Sequence, residues 1–430
     1  MTNGATWRID ARWWWLGITA GAALGVIMAF SVEGAVGAAV VLTAVAVFAR
    51  SRHRSERIVG LYWIAFAIYS IVFYGVIIRF GFYPFYAVFL LSAALALRRE
   101  GLRVDPVVAW LYTGFMITVL ASFIGFTEPI GSAVFQRILA YLVGAAVLLQ
   151  FRSGDGPRPV AVSAVVASMS VASFVIYSSI QAGFRYRGDV EANPNSAAMM
   201  VAFGAVVAMS WLVDRFGQRR RRGQQAVLVL VLGVMLYSIL LLASRGLAIS
   251  MTATFAVMMG RSVLNDWRKS GVLLVVALLA GGGLLLPGGQ NLVERFTSQR
   301  ENVASAGSRI PIWNATLDAI RAGDLRELAF GHGFDSSEDV VQRDFPGQPS
   351  THSSYLKILY EYGALSLAFF VGLHLYLLWR SWWKPGPYGL MMLGLLTLLM
   401  LENLTGDVFT TFEYWIALGF IAAIDVWVQR

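Results

Sequence analysis

The sequence predicts an all-α, polytopic helical membrane protein of about fourteen transmembrane helices (twelve to fourteen), with one long helical loop outside the membrane. Three observations carry this reading. Hydrophobic residues make up 57% of the 430-residue chain and charged residues only 14%, against about a quarter in ordinary soluble domains. Apolar runs long enough to cross a bilayer as helices recur from one end to the other. The polar stretch 288–355 interrupts them and is too long for a turn, yet lacks the composition of a disordered linker.

In order, the expected spans are 13–32, 34–49, 59–78, 80–98, 106–125, 132–150, 159–180, 196–214, 225–243, 246–260, 270–287, 356–379, 386–403 and 408–427. The second and tenth are short for a crossing. Arg8 and Arg12 precede the first run as they would in a signal peptide, but no small-residue cleavage site stands out, so it reads as a retained helix. Odd-numbered spans then run outward, and both termini face the cytoplasm. The basic clusters Arg50 to Arg57, Arg215 to Arg222 and Arg261 to Lys269 all fall inside, while the outer side is acidic on balance. That is the positive-inside pattern of short loops. The net charge of +9 is therefore a topology signal, and no nucleic-acid partner is expected. The chain has no cysteine, which excludes disulfides, thiolate metal sites and a cysteine nucleophile.

Chemistry divides the chain into 1–180, 181–287, 288–355 and 356–430. In the first part, Trp13, Trp14, Trp15, Tyr62 and Trp63 read as interfacial anchors and packing residues. The second part opens on a turn holding Arg185, Arg187, Asp189 and Glu191, then Asn193-Pro194-Asn195-Ser196-Ala197. Asn-Pro is a turn signal, and Asn195 or Ser196 suits a helix cap; a solvated loop competes with a binding role for the arginines. Spans nine and ten meet at Ser244-Arg245-Gly246 with almost no loop. A charge at membrane depth is costly unless it is paired or lines a wet cavity, so Arg245 is a site candidate, with snorkelling to headgroups as the plainer account.

Within 288–355, apolar residues Ile310, Trp313, Leu317, Ile320 and Leu325 predict an amphipathic helix over 310–328, lying on the membrane or capping a cavity. Gly331-His332-Gly333 breaks it, Asp335 to Asp344 is acidic, and Pro346, Gly347 and Pro349 keep the chain irregular up to His352. Of the four histidines, His53 sits in a basic cluster and His374 inside a span. His332, between glycines, suits a structural or a catalytic use equally. His352, at the outer start of a membrane helix, has the strongest case. A helix N-terminus and a neighbouring arginine both disfavour its protonation, leaving a neutral imidazole able to act as a general base. No histidine–carboxylate spacing fits a metal site, and no glycine pattern fits a nucleotide, so neither metal nor cofactor is expected. An arginine cluster matches phosphate oxygens, and a lipid-attached diphosphate leaving group would be held by it while histidine takes a hydroxyl proton.

The succession Ser244-Arg245-Gly246, Ser308-Arg309-x-x-Ile312-Trp313, Gly331-x-Gly333 and His352-Ser353-x-Tyr355-Leu356-x-x-Leu359-x-Glu361-x-Gly363 resembles the bacterial O-antigen ligase/polymerase superfamily. The turn Asn193-Pro194-Asn195-Ser196-Ala197 resembles a segment common there, and the likeness covers roughly residues 180–380. The resemblance implies a multi-pass glycosyltransferase of the bacterial inner membrane with a periplasmic active site. Such an enzyme moves a glycan from undecaprenyl diphosphate to an acceptor hydroxyl, apparently without metal. It further implies that Arg245 and Arg309 bind the diphosphate and His352 activates the acceptor. Arg185 and Arg187 are helpers by position, with His332 and Asn195 as accessory candidates. Many members carry asparagine after the histidine, where this chain has Ser353. The implied partners are the undecaprenyl-diphosphate-linked donor, a lipid A-core or growing-glycan acceptor, and membrane lipids. Ligation to lipid A-core is slightly favoured over O-antigen or exopolysaccharide polymerisation. A lipid-linked sugar flippase is the rival from another class, but it would place charge at the bilayer midplane on broken helices.

Overall fold

The computed structural model describes residues 105–122, 158–181, 183, 194–297, 309–345 and 350–428. Among these, the regular structure is helical throughout: α1 (Pro106–Ala121), α2 (Arg158–Gln181), α3 (Pro194–Arg215), α4 (Arg222–Leu242), α5 (Arg245–Asn265), α6 (Gly271–Leu285), α7 (Gln290–Thr297), α8 (Arg309–Ala322), α9 (Leu325–Phe330), α10 (Ser336–Asp344), α11 (Ser354–Trp383), α12 (Gly386–Thr405) and α13 (Phe412–Val428). Seven helices among the described residues are long and apolar enough to cross a membrane. The chain is an all-α polytopic membrane protein. The spans expected at 13–32, 34–49, 59–78, 80–98 and 132–150 lie outside the described residues; each of the others coincides with a helix. The run at 246–260, short by hydropathy, is the middle of the 21-residue α5.

The helices fall into two compact units. In the first, α2, α3 and α4 pack on one another and α6 packs on α4. Almost all of α3 is enclosed (94% of its apolar window), as expected of a helix apolar on every side. Ser168 Oγ donates to the Met200 carbonyl at 2.6 Å and ties α2 to α3.

In the second unit α11 is the hub. Its apolar part packs with α1, α12 and α13, around Phe115, Phe370, Tyr414 and Trp415. Its first turns carry the cap helices α8, α9 and α10, whose small core is Ile320, Val340 and Tyr360.

The cap differs from the helix expected over 310–328. α8 ends at Ala322, and Asp324 starts α9 through a capping box, accepting from the Glu327 N–H at 2.8 Å while Glu327 accepts from the Asp324 N–H at 2.9 Å. The buried line of α8 is Ile312, Thr316 and Ile320, at a spacing of four, whereas Ile310 and Leu325 are exposed. The phase of the apolar face is lost because one helix was expected where a cap divides two.

The expected span 356–379 changes more. α11 is broken at Gly363, which has φ 79° and ψ 176°. There the backbone crosses that of Gly331 (φ 83°): a Cβ on Gly363 would lie 2.3 Å from the Ala329 carbonyl oxygen, and one on Gly331 2.2 Å from that of Glu361. The break frees the carbonyls of Tyr360 and Glu361, and the cap satisfies both. His332 N–H donates to Tyr360 at 2.9 Å and Gly333 N–H to Glu361 at 3.1 Å. Residues 354–362 therefore belong to the cap, which is consistent with their buried charges Lys357 and Glu361.

Candidate functional site

α4 closes on Ala243 in the left-handed conformation (φ 49°, ψ 33°), and α5 begins two residues on with Arg245 in its first turn. Gly246 leaves room beside it. A Cβ there would stand 3.2 Å from Thr405 Oγ1 and 4.0 Å from Arg309 Nη1, so the Ser-Arg-Gly turn comes close to both the end of α12 and Arg309.

Arg309 is the first residue of α8 and is half-buried. Burial and then the charge of Arg245 lower its pKa, while Glu402 and Asp407 oppose the shift. A guanidinium remains charged under such a shift. Four residues on, and so on the same side of α8, Trp313 Nε1 donates to the Thr351 carbonyl at 3.0 Å. The arginine of the Ser-Arg-x-x-Ile-Trp motif binds no neighbour in that bond; its tryptophan fastens the next motif.

That motif holds His352 in a strained backbone, with φ 52° between buried Thr351 and Ser353. Ser350 Oγ lies 3.4 Å from His352 Nδ1. Burial lowers the histidine's pKa most; Asp407 opposes the shift and Arg309 adds to it. The imidazole is therefore neutral at pH 7, for burial first and the neighbouring arginine second. The loop is also fixed from below. Thr351 Oγ1 donates to Asp407 Oδ1 at 3.2 Å, Ser354 N–H to the Gly406 carbonyl at 3.0 Å, and Tyr355 Oη to the Met400 carbonyl at 3.2 Å.

Arg309 thus lies within electrostatic reach of both Arg245 and His352, although the three come from widely separated parts of the chain. Glu402 and Asp407, at and just past the end of α12, are members of the same group that the sequence reading missed. Glu402 is hydrogen-bonded to Ser250, one turn along α5 from Arg245. A signal was there to find: a carboxylate closing a leucine-rich membrane run is a site candidate by the argument that picked out Arg245.

His332 lies elsewhere. Its ring stacks on Tyr360 with centroids 4.1 Å apart, and Nε2 is 3.6 Å from Glu327 Oε2. Its contacts are those of the crossing at the break in α11. Asn195 is the second residue of α3, and its side chain lies outside the description, as do Arg185 and Arg187 altogether. Among the described residues, no cluster of three or more His, Asp or Glu is arranged to hold a metal ion.

A second charged group supports the loop. The Lys357 ammonium, 1% exposed, stands 3.3 Å from Glu338 Oε1, 3.3 Å from Glu361 Oε1 and 3.6 Å from Asp335 Oδ1. Ser337 Oγ donates to Glu361 Oε1 at 2.6 Å. These bonds pin the start of α11, and hence the residues just before it, to α10.

The stretch 230–371 matches the model of a protein family described as O-antigen ligase. It runs from within α4 to just beyond the break in α11, and it contains Arg245, Arg309 and His352 but not Glu402 or Asp407. A comparison with curated proteins finds no match.

Proposed function

Because residues 230–371 belong to the O-antigen ligase-like superfamily, we propose that the chain is a glycosyltransferase of the bacterial inner membrane. It moves a glycan from undecaprenyl diphosphate to an acceptor hydroxyl at the periplasmic face, with both termini in the cytoplasm. The observation that supports this reading is that Arg309 lies within electrostatic reach of both Arg245 and a His352 whose pKa burial lowers. The two guanidiniums hold the diphosphate of the donor and take up the charge that grows on it as the sugar C1–oxygen bond breaks. His352 accepts the proton of the acceptor hydroxyl as that oxygen bonds to C1, and undecaprenyl diphosphate leaves. The charge of Asp407 favours the protonated form of the imidazole, as the transition state requires. Arg185 and Arg187 join the donor site in this reading.

Arg245→Ala, Arg309→Ala and His352→Ala should each leave the protein in the membrane and abolish transfer. Normal glycan output from all three would sink the reading. Ligation to lipid A-core is the preferred reaction, and deletion of the gene tests it. Bare core, with long polymer still on the carrier, supports ligation. Core bearing one repeat supports polymerisation instead, and single units held at the cytoplasmic leaflet support a flippase.

A further inference from the structure

A patch of apolar side chains on the cap lies uncovered beside the break in α11. Leu325 is 85% exposed, Leu328 41% and Phe330 46%. Leu325 and Leu328 stand three residues apart on α9 and so share a face. The cap's own core, built on Ile320, Val340 and Tyr360, does not use them.

The position of α9 is fixed by the glycine crossing. Gly331, just after α9, lies against Glu361 and Tyr362, and Gly363 lies against Ala329 and Phe330. α9 is therefore level with the break. Immediately past Gly363, exposed Ala364, Leu365 and Ala368 begin the lipid-facing side of α11. Exposed Trp379, Trp382 and Trp383 mark its far end as interfacial anchors do. The helix rises about 30 Å between these limits, which is about the thickness of the hydrocarbon core. Gly363 thus sits at one edge of the hydrocarbon, and α9 sits there with it.

We propose that α9 is an interfacial foot, with Leu325, Leu328 and Phe330 seated at the acyl–headgroup boundary of the leaflet on the cap's side. The exposed Arg326 is within the same turn and reaches lipid phosphate. Apolar burial drives the contact. Attraction to anionic lipid does not, because α8 to α10 carry more carboxylates (Asp318, Glu327, Glu338, Asp339, Asp344) than cations (Arg309, Arg321, Arg326, Arg343). The partner is the bilayer surface itself, and the inference rests on the fold and not on the reaction.

The absence of native cysteine makes the test direct. Full-length Leu325→Cys and Leu328→Cys are each spin-labelled in nanodiscs of phosphatidylethanolamine and phosphatidylglycerol. Gln342→Cys, exposed on α10, is the water reference, and Leu375→Cys, exposed on α11, is the lipid reference. Collision with oxygen relative to a water-soluble nickel chelate is measured at each position. The proposal expects this ratio at Leu325 and Leu328 to exceed that at Gln342 severalfold and to approach that at Leu375. Ratios equal to Gln342 overturn it. Low collision with both reagents, together with spin–spin broadening, also overturns it, by showing a second copy of the chain on the patch.

Discussion

Trp313 Nε1 donates to the Thr351 carbonyl at 3.0 Å, so the helix that begins with Arg309 is bonded to the residue before His352. One hydrogen bond joins two motifs that the sequence separates widely.

Trp313→Phe keeps the ring and deletes that bond. It should cost about 1 kcal/mol of stability, seen as a lower thermal midpoint in detergent. Transfer should fall severalfold with the protein still in the membrane. An unchanged midpoint and unchanged transfer would show that the bond does not set the loop.

Arg309→Lys retains the charge but not the planar fork. Loss of a charge-assisted bond of about 1.5–3 kcal/mol corresponds to a fall in transfer of roughly ten- to a hundredfold. A purified assay with a lipid-diphosphate donor reads this directly, and full activity of the lysine variant would mean that only charge matters there.

Because burial lowers the pKa of His352, its neutral form persists below the ordinary histidine value of about 6.5. Transfer should therefore fall as pH drops through a midpoint below that value. Asp407 is the influence that raises the histidine, so Asp407→Asn should move the acid limb to still lower pH. A limb that stays in place or moves upward would exclude Asp407 as the partner of the base.

Lys357→Met leaves three carboxylates facing one another without their cation. A buried ion pair broken on one side costs about 3–5 kcal/mol, and the thermal midpoint should drop accordingly. Adding Glu361→Gln should recover part of the loss, because Glu361 is fully buried while Asp335 and Glu338 keep some solvent. A double variant no better than the single would show that the loss comes from packing rather than charge.

Gly363→Ala places a Cβ against the Ala329 carbonyl in a backbone region that alanine rarely adopts. Strain alone is worth about 1–3 kcal/mol, and the clash adds to it. Alanine at Gly386, whose φ is also positive but which meets nothing within 4 Å, is the control and should lose less.

Each expected span on the described residues coincides with a helix, and seven of these helices are long and apolar enough to cross a membrane, because the bilayer imposes one length and one polarity on its spans. What hydropathy did not show is the break in α11 at Gly363, before which the first turns pack on the cap helices. Lys357 and Glu361 were visible as charges in an expected span, but what they paired with was not. Arg245, Arg309 and His352 were singled out because short motifs carried them, and Arg309 lies near both of the others in the fold. Glu402 and Asp407 escaped because their role exists only once α12 is folded back beside α5 and α8. The split of the cap into α8 and α9 was written in Asp324 and Glu327, a capping signature three residues apart.

The broken helix bears on how the protein tolerates its solvent. A continuous rod from Ser354 to Trp383 would carry any tilt, forced by a thicker or thinner bilayer, straight to the residues at its start. Here the first half is fastened to the cap by Lys357 and to the end of α12 by Ser354, and the non-helical Gly363 separates it from the second half. The arrangement of Arg309 and His352 is thereby expected to hold in membranes of different thickness.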